Sequence, residues 1–554
     1  MPLKHTYTVA DYLLERLEGG GADHVFGIPG DFILPFFEVM ARHGTDHVAT
    51  CNELNAGYAA DGYARLKGLG AIAVTYGPGA FSLINAVAGA YAERVPLVVI
   101  SGGPRLATYR AEIQPALHHV LPDKLGASMA IFYEITTLAL RLDDPQTAPE
   151  RIDQALEACL RDQRPVYLEI PSDLQQAECT APGAPLHIPP KPVDERALGQ
   201  ALELLASRVV KGKRTVLLPG HEVHRQQLQN SVRELVGKTG MPVASMFTGK
   251  ADYAEQWPEC IGLYMGAGSC REVSRFVEAA DTVIFLGAVP SDFNLGGSTA
   301  QLQDSQVVLA YEDRFEHKGQ RLDKVPLGAL LVGLIERLPQ DCARVPQAPR
   351  AGFIHRSGNA YVSGGDLPIS NKRFYDRMAH FIRNGDIVLA DAGAAVNSAH
   401  IQLAEGAQYQ TSTYWAAIGM GFGASLGACF ATGKGQRVIV LEGDGSFQMS
   451  AQELGTMTRY SKTPLVFVIN NLGYTAERLI HDGPFNDIAP WKYHRLADAW
   501  GGRGVEVRTE ADLERVLSLA ESWAGPGPLL IEVHMDPWDA SEAFRLMSEG
   551  LRTP

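Results

Sequence analysis

No Cys-x-x-Cys pair occurs in the 554 residues. The seven cysteines, Cys51, Cys159, Cys179, Cys260, Cys270, Cys342 and Cys429, are scattered and odd in number. That argues against a disulfide framework or a cysteine zinc site and fits a reducing compartment, so a cytoplasmic location is expected. Long apolar runs are missing too: none reaches the roughly 18 residues needed to cross a bilayer. The opening stretch, Met1-Pro2-Leu3-Lys4-His5-Thr6-Tyr7-Thr8, is polar where a signal peptide would carry an apolar core. Basic charge is in deficit, with 49 Lys and Arg against 63 Asp and Glu and a net charge of −14. Nucleic acid and anionic membrane surfaces are therefore not expected as partners. A local site can still oppose the global sign and take an anionic small molecule. There is no short tandem repeat, and in the middle third no Gly-x-Gly-x-x-Gly follows a strand, so no nucleotide is expected there.

What is present reads as globular. Hydrophobic residues make up 46% and charged residues 20%, ordinary values for packed domains, and the length suggests three or four of them. Short, nearly continuous apolar runs such as Gly70-Ala-Ile-Ala-Val-Thr-Tyr76, Pro96-Leu-Val-Val-Ile-Ser101 and Pro165-Val-Tyr-Leu-Glu-Ile-Pro171 alternate with helix-like segments. Strands of that kind belong to parallel sheets buried on both faces. Arg214-Thr-Val-Leu-Leu-Pro219 and Asp281-Thr-Val-Ile-Phe-Leu-Gly287 repeat the pattern in the middle, Asp386-Ile-Val-Leu-Ala-Asp391 and Gln436-Arg-Val-Ile-Val-Leu-Glu442 in the last third. Pro-rich 181–192 and Gly/Pro-rich 340–368 read as linkers. The expectation is an α/β chain of three doubly wound parallel-sheet domains, at 1–185, 190–345 and 365–554, the middle one structural or regulatory. Sites should lie at the carboxyl ends of strands.

One constellation carries chemistry. Gly443-Asp444-Gly445-Ser446 follows a strand. Asn470-Asn471, with Gly473 just beyond, ends the next strand, and Asn471 lies 27 positions after Asp444. A carboxylate, an amide oxygen and a main-chain carbonyl can thus meet around one hard divalent cation. Mg²⁺ prefers an octahedral shell of oxygens and completes it with phosphates. Asp444, Asn471 and Gly473 are the expected metal ligands, and a diphosphate cofactor is implied. Ser446 and the N–H groups of the Gly443–Ser446 turn suit its phosphates, because a helix N-terminus attracts anions.

The arrangement resembles the thiamine-diphosphate signature, and over nearly its whole length the chain is similar to the non-oxidative 2-keto acid decarboxylases acting on pyruvate, indolepyruvate, phenylpyruvate and branched-chain keto acids. The resemblance implies a role for each matching residue. Glu53, in Cys51-Asn-Glu-Leu-Asn-Ala-Gly-Tyr58, matches the glutamate that hydrogen-bonds the cofactor's pyrimidine ring. Thr75 and Tyr76 match the pair beside that ring. In Trp415-Ala-Ala-Ile-Gly-Met-Gly421, Ile418 matches the aliphatic wedge between the two cofactor rings, and the Ala416 carbonyl matches the acceptor for the pyrimidine amine. Asp31, in Gly27-Ile-Pro-Gly-Asp31, with His118, His119 and Glu477, matches the proton-handling set; carboxylates and imidazoles suit general acid work. The family shares active sites between subunits, which implies a homodimer at least and a homotetramer by pairing.

Departures from pyruvate decarboxylases point to the substrate. Ala476 stands where they carry isoleucine, Val396 where they carry tryptophan and Ala392 where they carry threonine, while Ile480 keeps its bulk. Three smaller residues in one pocket leave room for a larger acyl group, unless the segment 291–296 refills it. The expected substrate is a bulky aromatic or long or branched aliphatic 2-keto acid, with indolepyruvate or phenylpyruvate foremost. The alternatives are a pyruvate decarboxylase and a carboligase of the acetolactate synthase type, which needs neither His118-His119 nor Glu477. A cofactor-binding scaffold without turnover would have no use for Glu53, Asp31 and Glu477.

Overall fold

The computed structural model describes residues 7–112, 116–250, 255–350, 353–354, 361–433 and 435–552. Three sheets account for all the named strands. The first contains β1 (His24–Gly27), β2 (Asp46–Ala49), β3 (Gly70–Thr75), β4 (Leu97–Gly103), β5 (Leu138–Arg141) and β6 (Val166–Pro171), in the order β2-β1-β3-β4-β6-β5. Every pairing in it is parallel. Each residue of β3, β4 and β6 is buried, which is why these strands read as apolar runs rather than alternating ones.

The second sheet holds β7 (Thr215–Pro219), β8 (Val243–Met246), β9 (Cys260–Tyr264), β10 (Thr282–Leu286), β11 (Val307–Ala310), β12 (Arg314–His317) and β13 (Gln320–Asp323), in the order β13-β12-β11-β10-β7-β8-β9. Its first five strands are parallel. β12 and β13 add an antiparallel hairpin at one edge, which the sequence reading did not anticipate. The turn is Lys318-Gly319, at φ 49° and 75°, the left-handed pair that matches strand twist in a two-residue hairpin. Separate hydrophobic clusters lie on the two faces of this sheet, one around Leu202, Val236 and Leu331, the other around Val273 and Phe285.

The third sheet contains β14 (Ile387–Ala390), β15 (Gln408–Gln410), β16 (Val438–Gly443), β17 (Leu465–Asn470), β18 (Arg503–Val507) and β19 (Leu529–His534). Its order, β15-β14-β16-β17-β19-β18, repeats the topology of the first sheet, again with all strands parallel.

The chain folds into two compact units. One comprises Met1–Pro190 with Phe422–Lys434 and Ser450–Lys462, and the other Lys191–Gly421, Gly435–Met449 and Thr463–Pro554. Two short stretches from the last third of the sequence thus belong to the unit built on the first sheet. Among the described residues no helix is long and apolar enough to cross a membrane.

Candidate active site

In the second unit, the carboxyl ends of β14, β16 and β17 open into a cavity of about 360 Å³. Asp391, Asp444 and Asn471 stand at or just beyond these three strand ends, beside the point where the strand order reverses, the usual place for a ligand in a doubly wound sheet. Asp444 is buried. Its Oδ1 accepts the Gly445 N–H at 2.8 Å and its Oδ2 the Gly473 N–H at 3.1 Å. Burial pushes its carboxyl up to about 6, against the pull of the surrounding main-chain N–H groups.

Asn471 completes an unusual grouping. Its amide N–H donates to the Thr475 hydroxyl at 2.8 Å, and that hydroxyl donates onward to the Pro537 carbonyl at 2.9 Å. The amide oxygen is thereby turned toward Asp444 Oδ1, at 3.2 Å, and the Gly473 carbonyl, at 3.0 Å. Three oxygens converge with no proton among them. Such a grouping is satisfied by a cation, or by the amide turning over to present its N–H instead. The donor chemistry fits a hard divalent ion.

The loop that aims these oxygens is sharply bent. Leu472 has φ 61° and Gly473 φ 132°. A Cβ at Gly473 would lie 2.1 Å from the Asn486 carbonyl oxygen, so only glycine fits. The buried Arg478 guanidinium props the loop, donating to the carbonyls of Asn471 at 3.2 Å and Leu472 at 2.6 Å, and to Asp487 at 2.7 Å.

Asp391 is a second buried hub, which the sequence reading passed over. Its carboxylate accepts the Ala392 N–H at 2.9 Å and the Gly419 and Gly421 N–H groups at 3.0 Å each. It also accepts the Ser446 hydroxyl at 2.9 Å. The Ser446 side chain is therefore committed to Asp391, although the residue lines the cavity. Asp391 holds together the loops that carry Ala392, Ile418 and Ser446. Ala416 has φ 57°, a strained conformation for alanine of the kind that gathers at ligand sites.

Ala392, Val396, Ala416, Ile418, Gly443, Gly445, Ala476, Glu477 and Ile480 all line this cavity. Ala476, Glu477 and Ile480 come from one short helix, Thr475–Ile480. Two wall elements come from elsewhere: Phe293, and the apolar face of the last helix through Phe544, Met547 and Leu551. Phe293 lies in the segment flagged on sequence as able to refill the pocket.

The remaining predicted residues belong to the first unit, at the carboxyl ends of the first sheet. Asp31 follows β1, Glu53 follows β2, and Thr75 ends β3. Asp31 Oδ2 and His118 Nε2 are 2.8 Å apart, both exposed. The His118 and His119 rings meet at 4.4 Å between centroids, and His119 is held at φ 68°. Tyr76 donates its hydroxyl to the His118 carbonyl at 2.7 Å. Phe32 sits between, its ring 4.9 Å from Tyr76 and 5.2 Å from His118. Among the described residues the buried Thr75 hydroxyl has no hydrogen-bond partner.

Glu53 opens the helix Glu53–Lys67, capped by Asn52, whose side chain accepts the Asn55 N–H at 2.8 Å. The buried Glu453 fixes that helix start: its Oε1 accepts the Cys51 N–H and the Asn55 amide N–H, each at 2.9 Å. No local signal marks Glu453, which is 402 positions from Cys51.

A strand-end cavity beside a glycine-rich turn, in a doubly wound sheet, is the kind of place that takes a phosphorylated ligand. The family models agree. Those described as the N-terminal TPP binding domain, the central domain and the C-terminal TPP binding domain of thiamine pyrophosphate enzymes match residues 7–128, 202–328 and 391–533. Relatives narrow the class. A pyruvate decarboxylase from Aspergillus fumigatus is 31% identical over 560 residues, covering 99% of this chain and 97% of that protein. An indole-3-pyruvate decarboxylase from Azospirillum brasilense is 34% identical over 528 residues, 93% of each. An alpha-keto-acid decarboxylase from Mycobacterium bovis is 34% identical over 528 residues, 93% of this chain and 92% of that one. The chain belongs to the thiamine-diphosphate-dependent 2-keto acid decarboxylases.

Proposed function

We propose that this enzyme decarboxylates a 2-keto acid with a bulky side chain, aromatic or long or branched aliphatic, with indolepyruvate and phenylpyruvate as the leading candidates. The observation that carries the reading is the cavity of about 360 Å³ with Ala392, Val396 and Ala476 in one wall. Phe293, which also lines the cavity, offers a ring for edge-to-face contact with an aromatic substrate. Phe293 also supports the second reading, pyruvate, because it occupies part of the space that the small residues release. A competition assay offering pyruvate, phenylpyruvate and indolepyruvate together decides between them: aldehyde formed mainly from pyruvate overturns the first reading. Acyloin as the main product would instead favour a carboligase.

Mg²⁺ would be held by Asp444, the Asn471 amide oxygen and the Gly473 carbonyl. The diphosphate would be taken by main-chain N–H groups of the Gly443–Ser446 turn, since the Ser446 hydroxyl serves Asp391. Bound there, thiamine diphosphate supplies the nucleophile for the keto carbon and the electron sink for departing CO₂. The chain's own residues do the rest. Glu53 would hydrogen-bond the pyrimidine ring, Ile418 and the Ala416 carbonyl would fix its orientation, and Thr75 and Tyr76 would flank it. Asp31 and His118, 2.8 Å apart, would with His119 and Glu477 deliver protons as the aldehyde forms and leave. The first-unit set comes from one subunit and the cation set from its partner, so the smallest active species is a dimer, paired into a tetramer in the cytoplasm. Light scattering at assay concentration tests this; a fully active monomer overturns it.

A further inference from the structure

At the edge of the third sheet two imidazoles and two carboxylates meet. Glu506 on β18 and Glu532 on β19 are register partners, so their side chains leave the same face of the sheet. His534, two residues beyond Glu532, shares that face. His494 comes from the short 3₁₀ turn Tyr493–Arg495. The turn is seated directly on β18: a Cβ at Gly504 would lie 1.6 Å from the His494 carbonyl oxygen, so only a glycine lets it approach.

The ligand atoms are closely grouped. His494 Nδ1 is 2.5 Å from Glu532 Oε2 and 3.6 Å from Glu506 Oε1. His534 Nε2 is 3.2 Å from Glu506 Oε1 and 3.4 Å from Glu532 Oε1. Zinc bonds to nitrogen and oxygen are about 2.0–2.2 Å, so a tetrahedral ion sets its ligand atoms about 3.3 Å apart. One atom each from His494, Glu506 and Glu532 already lie within 4.8 Å of one another; His534 meets the Oε1 atoms of both carboxylates near the tetrahedral spacing, and Glu532 must turn so that its 2.5 Å contact with His494 opens.

The surroundings suit a metal as well. Glu532 is buried, and its position is fixed by the Asn470 amide N–H at 2.6 Å and the His494 main-chain N–H at 3.1 Å. Outer hydrogen bonds of this kind orient metal ligands. Two carboxylates neutralise a divalent ion, and each neutral imidazole binds through one nitrogen while its proton moves to the other. Arg508 also donates to Glu506 Oε1, at 3.1 Å, but its exposed side chain can swing into solvent.

The geometry points to a second metal site, formed by His494, Glu506, Glu532 and His534, for a divalent first-row transition ion such as Zn²⁺. Its mixed nitrogen and oxygen ligands differ from the oxygen-only set at Asp444, so the two sites select different ions. The ion needs no change in the thiamine chemistry, and the inference stands whatever the substrate.

The test uses holoenzyme carrying thiamine diphosphate in excess Mg²⁺, which keeps the other cation site filled. Titration with Co²⁺ should raise the strong visible absorption of tetrahedral cobalt, saturating at about one ion per chain, and Zn²⁺ should abolish it. H494Q and H534Q should each remove the band while circular dichroism and bound cofactor stay as in the wild type. Because H494Q alters a packed turn, H534Q on the more exposed side carries the test if the first variant fails to fold. Absence of a tetrahedral band in the wild type, or a band of equal intensity in H534Q, overturns the site.

Discussion

The first and third sheets have the same strand order and the same parallel sense, yet their strand-end loops hold opposite chemistries. On the first sheet those loops present titratable side chains, Asp31, Glu53, His118 and His119, of which Asp31 and His118 are exposed. On the third they present fixed acceptors: buried Asp444 and Asp391, the Asn471 amide and the Gly473 carbonyl. The backbone topology is common; the division of labour resides in the loops. Under the proposed function the first set would carry protons, which asks for access, and the second would cradle a cation, which asks for oxygens held rigid by burial and bracing. Bracing is visible in both places, through Glu453 under the Glu53 helix start and through Arg478 under the Asn471–Gly473 turn.

The comparison breaks most cleanly at Asp444. Asp444→Ala should abolish retention of thiamine diphosphate, measured as cofactor remaining after desalting in Mg²⁺ buffer; stoichiometric cofactor in the variant would mean the cation is held elsewhere. Glu53→Gln should do the reverse, leaving cofactor binding largely intact while slowing hydrogen–deuterium exchange at the reactive thiazolium carbon by about 100-fold or more, the scale of a lost proton-transfer contact. Exchange at the wild-type rate would remove Glu53 from that role.

A smaller effect is expected in the cavity wall. Ala476→Ile and Val396→Trp should overpack it for bulky substrates at about 1–3 kcal/mol, which corresponds to about a 5- to 150-fold loss in kcat/KM. Pyruvate should be affected far less, so the ratio of phenylpyruvate to pyruvate turnover should fall in both variants. A constant ratio, with folding and cofactor content intact, would show that these side chains do not meet the substrate.

The smallest effect lies on the periphery of the third domain. Glu510 is held down to about 2, chiefly by its hydrogen bonds from Arg373, at 2.8 and 2.6 Å. Its folded value lies below the ordinary 4.5, so the stabilisation is present above about pH 4.5 and is lost as pH falls toward 2. Arg373→Met should lower the neutral-pH melting temperature and flatten the acid limb of stability between those values. An acid limb as steep as the wild type's would show that other groups set it.

Much of this was legible in the chain. The apolar runs gave the parallel sheets, because a strand buried on both faces has no polar side to alternate. The spacing from Asp444 to Asn471 and Gly473 foretold that these residues come together, because a strand–turn–helix–strand unit of that length brings the two strand ends side by side. Sequence alone did not anticipate the β12–β13 hairpin, since its strands are short and half-exposed. It did not single out Asp391 either, a lone aspartate at a strand end whose four hydrogen bonds run to residues up to 55 positions away. Ser446, read as a phosphate contact, lines the cavity, and its hydroxyl donates to that aspartate.

Local pattern determined which elements form and which side chains stand at their ends, since burial periodicity and turn chemistry act over a few residues. Only the tertiary structure decided which of those ends meet. The Glu453 brace, the Phe293 wall and the His494–Glu506–Glu532–His534 cluster join distant segments, and no short-range signal specifies contacts that arise only when sheets and helices close against one another.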